Sequence, residues 1–292
     1  MRKVVLGVAV LAIVAIGCAP KTTTTSAGAS GSAQSCSIDS LHLYAPGKLT
    51  IATGNPAYKP WYGGDSVPGS DWKSGKYTGD PHTGEGYESA FAYALATRLG
   101  FTKDQLQWLG IPFGQSFAPG PHPFDFAMQQ ISITAKRAQA VDFSEGYYDV
   151  NQALVAYPGS PAIGVTTLAG LKDLKLGAPA NTTSYDAITQ LIQPNVEPAA
   201  YPDLDTALKD LKNGQIDGVV MDFPSAYYYD TVLVGQFPNI GGQQEQFGLA
   251  FEKGNPLVSC VNQAIDGLKA DGTLQQLQNQ WLQVHANVPV FG

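Results

Sequence analysis

Hydrophobic positions fall along this chain in short runs and helical stripes, divided by Gly, Pro and Asn. Leu49-Thr50-Ile51-Ala52-Thr53 follows Pro46-Gly47 and reads as a strand. After an aromatic, Gly-rich stretch, a helix is predicted from Tyr87. Ala90, Phe91, Ala94, Leu95 and Leu99 fall on one face of it, and Gly100 stops it. Residues 124–133 and 150–157 read as apolar strands. A second series begins with a short strand at 174–178 and the turn Pro179-Ala180-Asn181-Thr182-Thr183-Ser184, which opens a helix. Leu204, Ala207, Leu208 and Leu211 are spaced as one helix face, and that helix ends at Asn213-Gly214. Residues 216–222 form the next strand, with Asp222 at its carboxyl end, and residues 247–251 one more. Val258, Val261, Ile265 and Leu268 predict a helix stopping at Asp271-Gly272, and Leu274, Leu277 and Trp281 a last one. Strands alternating with helices predict α/β units with mostly parallel sheets, in which ligands sit beyond the carboxyl ends of strands.

The N-terminus departs from this pattern. Met1-Arg2-Lys3 is basic, residues 4–16 are apolar or small, and Ala15-Ile16-Gly17-Cys18 has the form of a lipoprotein cleavage site. The apolar run is shorter than the roughly 20 residues a transmembrane helix needs, so residues 1–17 read as a signal peptide. Cys18 would then be the lipidated N-terminus, holding the chain at the outer face of the cytoplasmic membrane. Residues 18–39 carry a Thr/Ser/Ala/Gly tether that cannot bury a core. Without Arg2 and Lys3 the 17 basic residues fall to 15 against 24 acidic ones, a formal charge of −9. No Lys/Arg cluster breaks that balance, which argues against a nucleic-acid partner. With Cys18 lipidated, Cys36 and Cys260 remain as an even pair in an oxidising compartment. The expectation is a disulfide tying the start of the fold to a C-terminal helix; the alternative is two buried free thiols.

Candidate chemistry concentrates on one cation. Besides Arg137 the sequence holds only Arg2, in the signal segment, and Arg98, on the outer part of the helix from Tyr87. A guanidinium is a planar fork that grips a carboxylate through two hydrogen bonds. Thr182 and Thr183 precede a predicted helix, where free N–H groups favour an anion, and Asn181 tolerates a left-handed backbone.

The segment Ser132-Ile133-Thr134-Ala135-Lys136-Arg137, with Val141-Asp142-Phe143-Ser144 and Tyr147-Tyr148 after it, resembles the family 3 solute-binding proteins of amino-acid ABC transporters. The resemblance runs from Leu49 to Trp281. It implies an α/β, two-lobe periplasmic-binding-protein-like (type II) fold with two hinge strands. Lobe one would comprise 40–154 plus 249–292, and lobe two 155–248. It further implies that Arg137, with Ser132, clamps a ligand's α-carboxylate, met from lobe two by Thr182 and Thr183. Asp222 would pair with the α-ammonium. Tyr58 and Trp61, in Tyr58-Lys59-Pro60-Trp61, would cover the side chain. Gly54-Asn55 stands where the family commonly has an Asp, and Gln129-Gln130 where it has small Gly or Ser residues. Gln130 would therefore either crowd the ligand or hydrogen-bond its side chain. Asn55, the glutamines and the aromatics favour a neutral polar or aromatic amino acid. Residues 113–121 are unlike the family's usual helix at that place.

The implied function is that of a monomeric, lipid-anchored, extracytoplasmic substrate-binding protein of an ABC importer. Its ligand would be an amino acid, its partner the membrane permease, and no cofactor is expected. The four histidines show no metal-ligand spacing, and there is no phosphate loop or Gly-x-Ser-x-Gly elbow, so no enzyme is expected. Two alternatives stay open: an enzyme of the same fold, like the cyclohexadienyl dehydratases, using Glu85, Glu88 or Glu145, and a non-transport amino-acid receptor.

Overall fold

The computed structural model describes residues 36–237, 240–282 and 288–292. The expected signal peptide, Cys18, the tether up to residue 35 and His285 lie outside the described residues. Strands β1 (Leu49–Thr53), β2 (Ala57–Tyr58) and β3 (Thr78–Gly79) come first, then helix α1 (Tyr87–Arg98). After it come β4 (Leu106–Gly110), β5 (Phe126–Ala127), β6 (Val141–Phe143), β7 (Tyr148–Val150) and β8 (Gln152–Ala156). The middle of the chain holds β9 (Leu176–Pro179), α2 (Thr183–Ala187), β10 (Ala199–Tyr201), α3 (Leu204–Lys212), β11 (Gly218–Asp222), α4 (Phe223–Ala226) and β12 (Val232–Phe237). β13 (Glu245–Phe247), β14 (Ala250–Glu252), α5 (Leu257–Ala270) and α6 (Thr273–Trp281) complete it.

These elements form two five-stranded sheets, ordered β4-β1-β5-β14-β6 and β10-β9-β11-β8-β12. Within each, the first three strands run parallel and the crossing strands β14 and β8 run antiparallel to their neighbours. Both faces of each sheet are covered. Leu49 and Ile51 of β1 point into one cluster with α1, α5 and α6, while Ala52 points into another with Ile111, Ile131 and Val141. Leu154 and Ala156 of β8 likewise face one cluster, and Ala153 and Val155 the other. Alternate residues of a strand point to opposite faces, so a strand covered on both sides becomes a continuous apolar run. That is why β1 and β8 stood out in the sequence.

Between the sheets, β7 and β13 pair antiparallel, with Val150 opposite Glu245 and Tyr148 opposite Phe247. All of β8 pairs within the second sheet, Gln152 with Asp222 and Leu154 with Val220, so the expected lobe boundary after residue 154 falls inside a strand. The last residues also depart from the expected division. Phe291 packs on Phe237 of β12, and Val290 bridges Gln236, both in the second lobe.

Three local expectations changed. The buried arc of α1 runs through Tyr87, Glu88, Phe91, Ala92 and Leu95, while Ala90 and Ala94 are only half-buried. The helix starts beneath the loop carrying Trp61 and also packs on α5 and α6, so more than one stripe is covered. The strand expected at 124–133 is regular only at Phe126–Ala127, because Asp125 turns aside to accept Tyr44 N–H and Thr50 N–H, and Gln130 takes a left-handed φ of 49°. The run 247–251 divides into β13 and β14, one in the hinge and one in the first sheet. Cys36 and Cys260 form a disulfide with a Cα–Cα distance of 5.5 Å, tying the start of the described chain to α5 as expected.

Candidate functional site

A cleft of about 540 Å³ lies between the two lobes. Asn55, Tyr58, Trp61 and Gln130 line it from one side, and Thr182, Thr183 and Asp222 from the other. Ser132 and Arg137 stand behind this wall and reach it through Thr183 and Asn181.

Arg137 is buried, 7% exposed, directly after the loop that follows Ser132. Its Nη1 donates to the Ser132 main-chain oxygen at 2.8 Å, and its Nη2 to the Asn181 main-chain oxygen, on the other lobe, at 3.0 Å. Phe117 and Phe113 flank the guanidinium, with Cζ 4.4 and 5.3 Å from their ring centroids. Both aromatics come from the segment that looked unfamiliar in the sequence, which forms a short 3₁₀ turn. Such a contact is worth roughly 2 kcal/mol when desolvated. Burial draws the Arg137 pKa down to about 10, opposed by the charges of Glu245, Asp186 and Asp222, so the group stays cationic at neutral pH.

Asn181 takes a φ of 63°, the left-handed turn for which its residue type is suited, and so aims its carbonyl at Arg137. Thr182 caps α2: its Oγ1 accepts the Tyr185 N–H at 3.2 Å and donates to the Pro179 oxygen at 2.6 Å. Thr183 crosses the lobes instead, its hydroxyl lying 3.1 Å from that of Ser132.

Asp222 ends β11 and makes no capping bond to α4. Its Oδ1 accepts from Gln152 Nε2 at 2.8 Å. The same nitrogen faces Glu245 Oε2 at 3.1 Å, and Ser132 Oγ donates to Glu245 Oε1 at 2.5 Å. Ser184 Oγ fixes the Gln152 amide by donating to its oxygen at 2.7 Å. A buried polar chain therefore runs from Ser132 through Glu245 and Gln152 to Asp222. Burial, and then the neighbouring Glu245 charge, push Asp222 up to about 7, against the hydrogen bond from Gln152. A carboxylate so placed is poised to take a cation in exchange for its proton.

The aromatics join the lobes. Trp61 Nε1 donates to Ser225 Oγ at 2.8 Å, and Tyr58 Oη to Asp205 Oδ2 at 3.0 Å. Asn55 Nδ2 turns to the Asp71 oxygen at 3.3 Å. Among the described residues the cleft wall carries the carboxylates of Asp203, Asp205 and Asp222 and neither lysine nor arginine.

Sequence reading missed Glu245, Gln152, Ser184, Ser225 and the two phenylalanines. Gln152 did carry a signal, as a polar residue heading the otherwise apolar strand Gln-Ala-Leu-Val-Ala. Glu245 carried none, because its place depends on β13 pairing with β7. Of the carboxylates weighed for catalysis, Glu85 and Glu145 are exposed and Glu88 is sealed, and none lines the cleft.

Two α/β lobes on a two-stranded hinge, closed over a polar cleft, define the type II periplasmic-binding-protein fold. Residues 70–284 match the profile of the bacterial extracellular solute-binding proteins, family 3, and the chain belongs to that family. It is 30% identical over 214 residues to the L-cystine-binding protein TcyJ of Escherichia coli (strain K12), covering 70% of this chain and 77% of that protein. It is 29% identical over 173 residues to ABC transporter arginine-binding protein 1 of the same organism; that match covers 54% of this chain and 66% of the relative, just under two thirds of its length. Among solved structures, an ancestral arginine-binding protein bound to arginine is similar at 25% identity and a TM-score of 0.64, over 80% of this chain and 98% of that one. The ancestral amino acid-binding protein AncCDT-1, a precursor of cyclohexadienyl dehydratase, is similar at 26% identity and a TM-score of 0.63, over 81% of this chain and 96% of that one. Among the described residues no helix is long and apolar enough to cross a membrane.

Proposed function

We propose that this protein captures an amino acid in the cleft and presents it to the permease of an ABC importer. In this reading Arg137 and the N–H groups at Thr182–Thr183 take the α-carboxylate, Asp222 takes the α-ammonium, and Tyr58 and Trp61 cover the side chain. Cys18 would anchor the chain by its lipid at the outer face of the membrane, and the hinge strands are β7 and β13.

The observation that carries the reading is that a buried guanidinium, tied to main-chain oxygens of both lobes, and a half-buried carboxylate held by Gln152 flank the same cleft. A ligand bridging them stabilises the closed arrangement over the open one and shifts the population towards it. The acidic wall supports an amino acid with a cationic or donor-rich side chain. That agrees with the binding named for the arginine-binding relative. A dehydratase-like reaction finds less support, since Glu85, Glu88 and Glu145 stand off the wall.

A thermal-shift screen of the twenty amino acids tests this. Ligand at 100 times its Kd adds about 2.7 kcal/mol of stability, an easily read shift. Absence of a shift with every amino acid would sink the reading.

A further inference from the structure

Gln130 occupies a backbone conformation that its side chain does not favour. At φ 49° it lies in the left-handed region, which a residue with a Cβ disfavours and glycine does not. Something must hold it there, and that group is Glu88. Glu88 lies in the first turn of α1, fully buried, and does not touch the cleft. Its Oε1 accepts the Gln130 N–H at 2.8 Å, and its Oε2 accepts from the Gln130 side-chain amide. Tyr147 Oη donates to the same carboxylate, and Tyr62 also lies against it.

Burial pushes the Glu88 carboxyl above its ordinary value, opposed by the hydrogen bonds from Tyr147, Gln130 and Tyr62, and the ionised form that these donors stabilise only accepts hydrogen bonds. The Gln130 Nε2 must therefore face Glu88, and its Oε1 must point the other way. Among the described residues that oxygen has no hydrogen-bond partner, and Gln130 belongs to the cleft wall. Its neighbour Gln129 is engaged differently, its Oε1 accepting from Ser116 Oγ at 3.0 Å. Gln130 Oε1 is thus an oriented acceptor without a partner among the described residues, on a side chain that lines the cleft.

We propose that Glu88 is a positioning residue for ligand selection: by gripping both the main-chain N–H and the side-chain amide of Gln130, it fixes Gln130 Oε1 as the acceptor for a donor on the ligand's distal group, such as a guanidinium, ammonium or primary amide. The proposal rests on the amino-acid reading above and adds the chemistry of the side chain to it. Of the two alternatives the sequence left open for Gln130, crowding the ligand or hydrogen-bonding its side chain, it takes the second.

The test is a ratio. Calorimetry on the purified full chain gives Kd for L-arginine, L-glutamine and L-norleucine, which share the α-carboxylate and α-ammonium and differ at the distal end. The selectivity ratio is the norleucine Kd divided by that of arginine or glutamine. Gln130→Gly relieves the backbone and removes the acceptor, and the ratio should fall roughly fivefold to tenfold, the worth of one hydrogen bond. Glu88→Gln, whose amide lets the Gln130 side chain turn over, should lower the ratio similarly. Placed on top of Gln130→Gly, it should leave the ratio where it is. A merely structural Glu88 would weaken all three ligands together and leave the ratio intact. Glu88→Asp, which keeps the charge but withdraws it, serves if Glu88→Gln does not fold and should give an intermediate fall. An unchanged ratio in Gln130→Gly, or an equal effect of the Glu88 variant with and without Gln130, would overturn the proposal. A wild-type chain that binds norleucine as tightly as arginine and glutamine would overturn it too, while leaving amino-acid capture standing. If the wild-type chain binds no amino acid at all, both fall together.

Discussion

Arg137 Nη2 lies 3.0 Å from the main-chain oxygen of Asn181, so the one buried guanidinium of the cleft already joins the two lobes. Its other bond, from Nη1 to the Ser132 oxygen, stays within its own lobe. A ligand carboxylate arriving here would replace a neutral acceptor with a charged one, and charge-assisted bonds are roughly twice as strong. The geometry thus offers closure a weak latch without ligand and a stronger one with it.

Arg137→Ala should abolish that difference. Losing a charge-assisted hydrogen bond costs roughly 1.5–3 kcal/mol, so amino-acid affinity should fall by about tenfold to a hundredfold or more. Circular dichroism should show the fold retained. Unchanged affinity by calorimetry would remove Arg137 from the site.

The pH dependence follows from Asp222, whose folded pKa near 7 lies above an ordinary carboxylate value. An α-ammonium needs the ionised form. Affinity should therefore weaken below about pH 7, approaching tenfold per unit, and Asp222→Asn should flatten that slope. The stability of the ligand-free protein moves the other way. A carboxyl whose folded pKa is raised destabilises the fold above that pKa, and the burden lifts as pH falls from about 7 towards the unfolded value. Thermal melts with and without ligand between pH 5 and 8 read both trends, and parallel trends would contradict the assignment.

The disulfide between Cys36 and Cys260 spans a sequence separation of 224 residues and ties the start of the fold to α5, and neither cysteine lines the cleft. Replacing both cysteines by serine should lower stability by about 2–5 kcal/mol. Ligand Kd at a temperature where the variant stays folded should change little. A large change in Kd would show that the bridge also sets the cleft.

Gly86 precedes α1 at a φ of 88°, and a Cβ there would meet the Trp61 main-chain oxygen at 2.6 Å. Gly86→Ala adds left-handed strain to that clash, so about 1–3 kcal/mol of stability should be lost. Because Trp61 would be displaced from Ser225, affinity should weaken as well, which melting and calorimetry read separately. A neutral Gly86→Ala would show that the Trp61 loop yields freely.

Much of the frame was legible in the chain. Covered strands such as β1 and β8 are mostly apolar, broken only by Thr50, Thr53 and Gln152, and α3 and α5 carry their stripes, because burial on a regular element imposes a pattern on the sequence. α1 was harder, since its polar Glu88 and Ser89 are buried by a loop and not by a sheet face. The site residues divide in the same way. Arg137, Thr182, Thr183 and Asp222 could be picked from scarcity, turns and strand ends, all local signals. Glu245, Gln152 and Ser225 matter only through partners far along the chain.

By itself the sequence determined that two series of α/β elements would form, that a lone arginine and an acid at a strand end were the charged candidates, and that Cys36 had one partner left. Only the tertiary structure decided that Arg137 sits behind the wall between two phenylalanines, that Asp222 shares Gln152 with Glu245, and that Glu88 holds Gln130 by its main-chain N–H and its side-chain amide. Periodicity and residue type are written locally, whereas burial, and the shift of charge and orientation it forces on a polar group, exist only once distant segments meet.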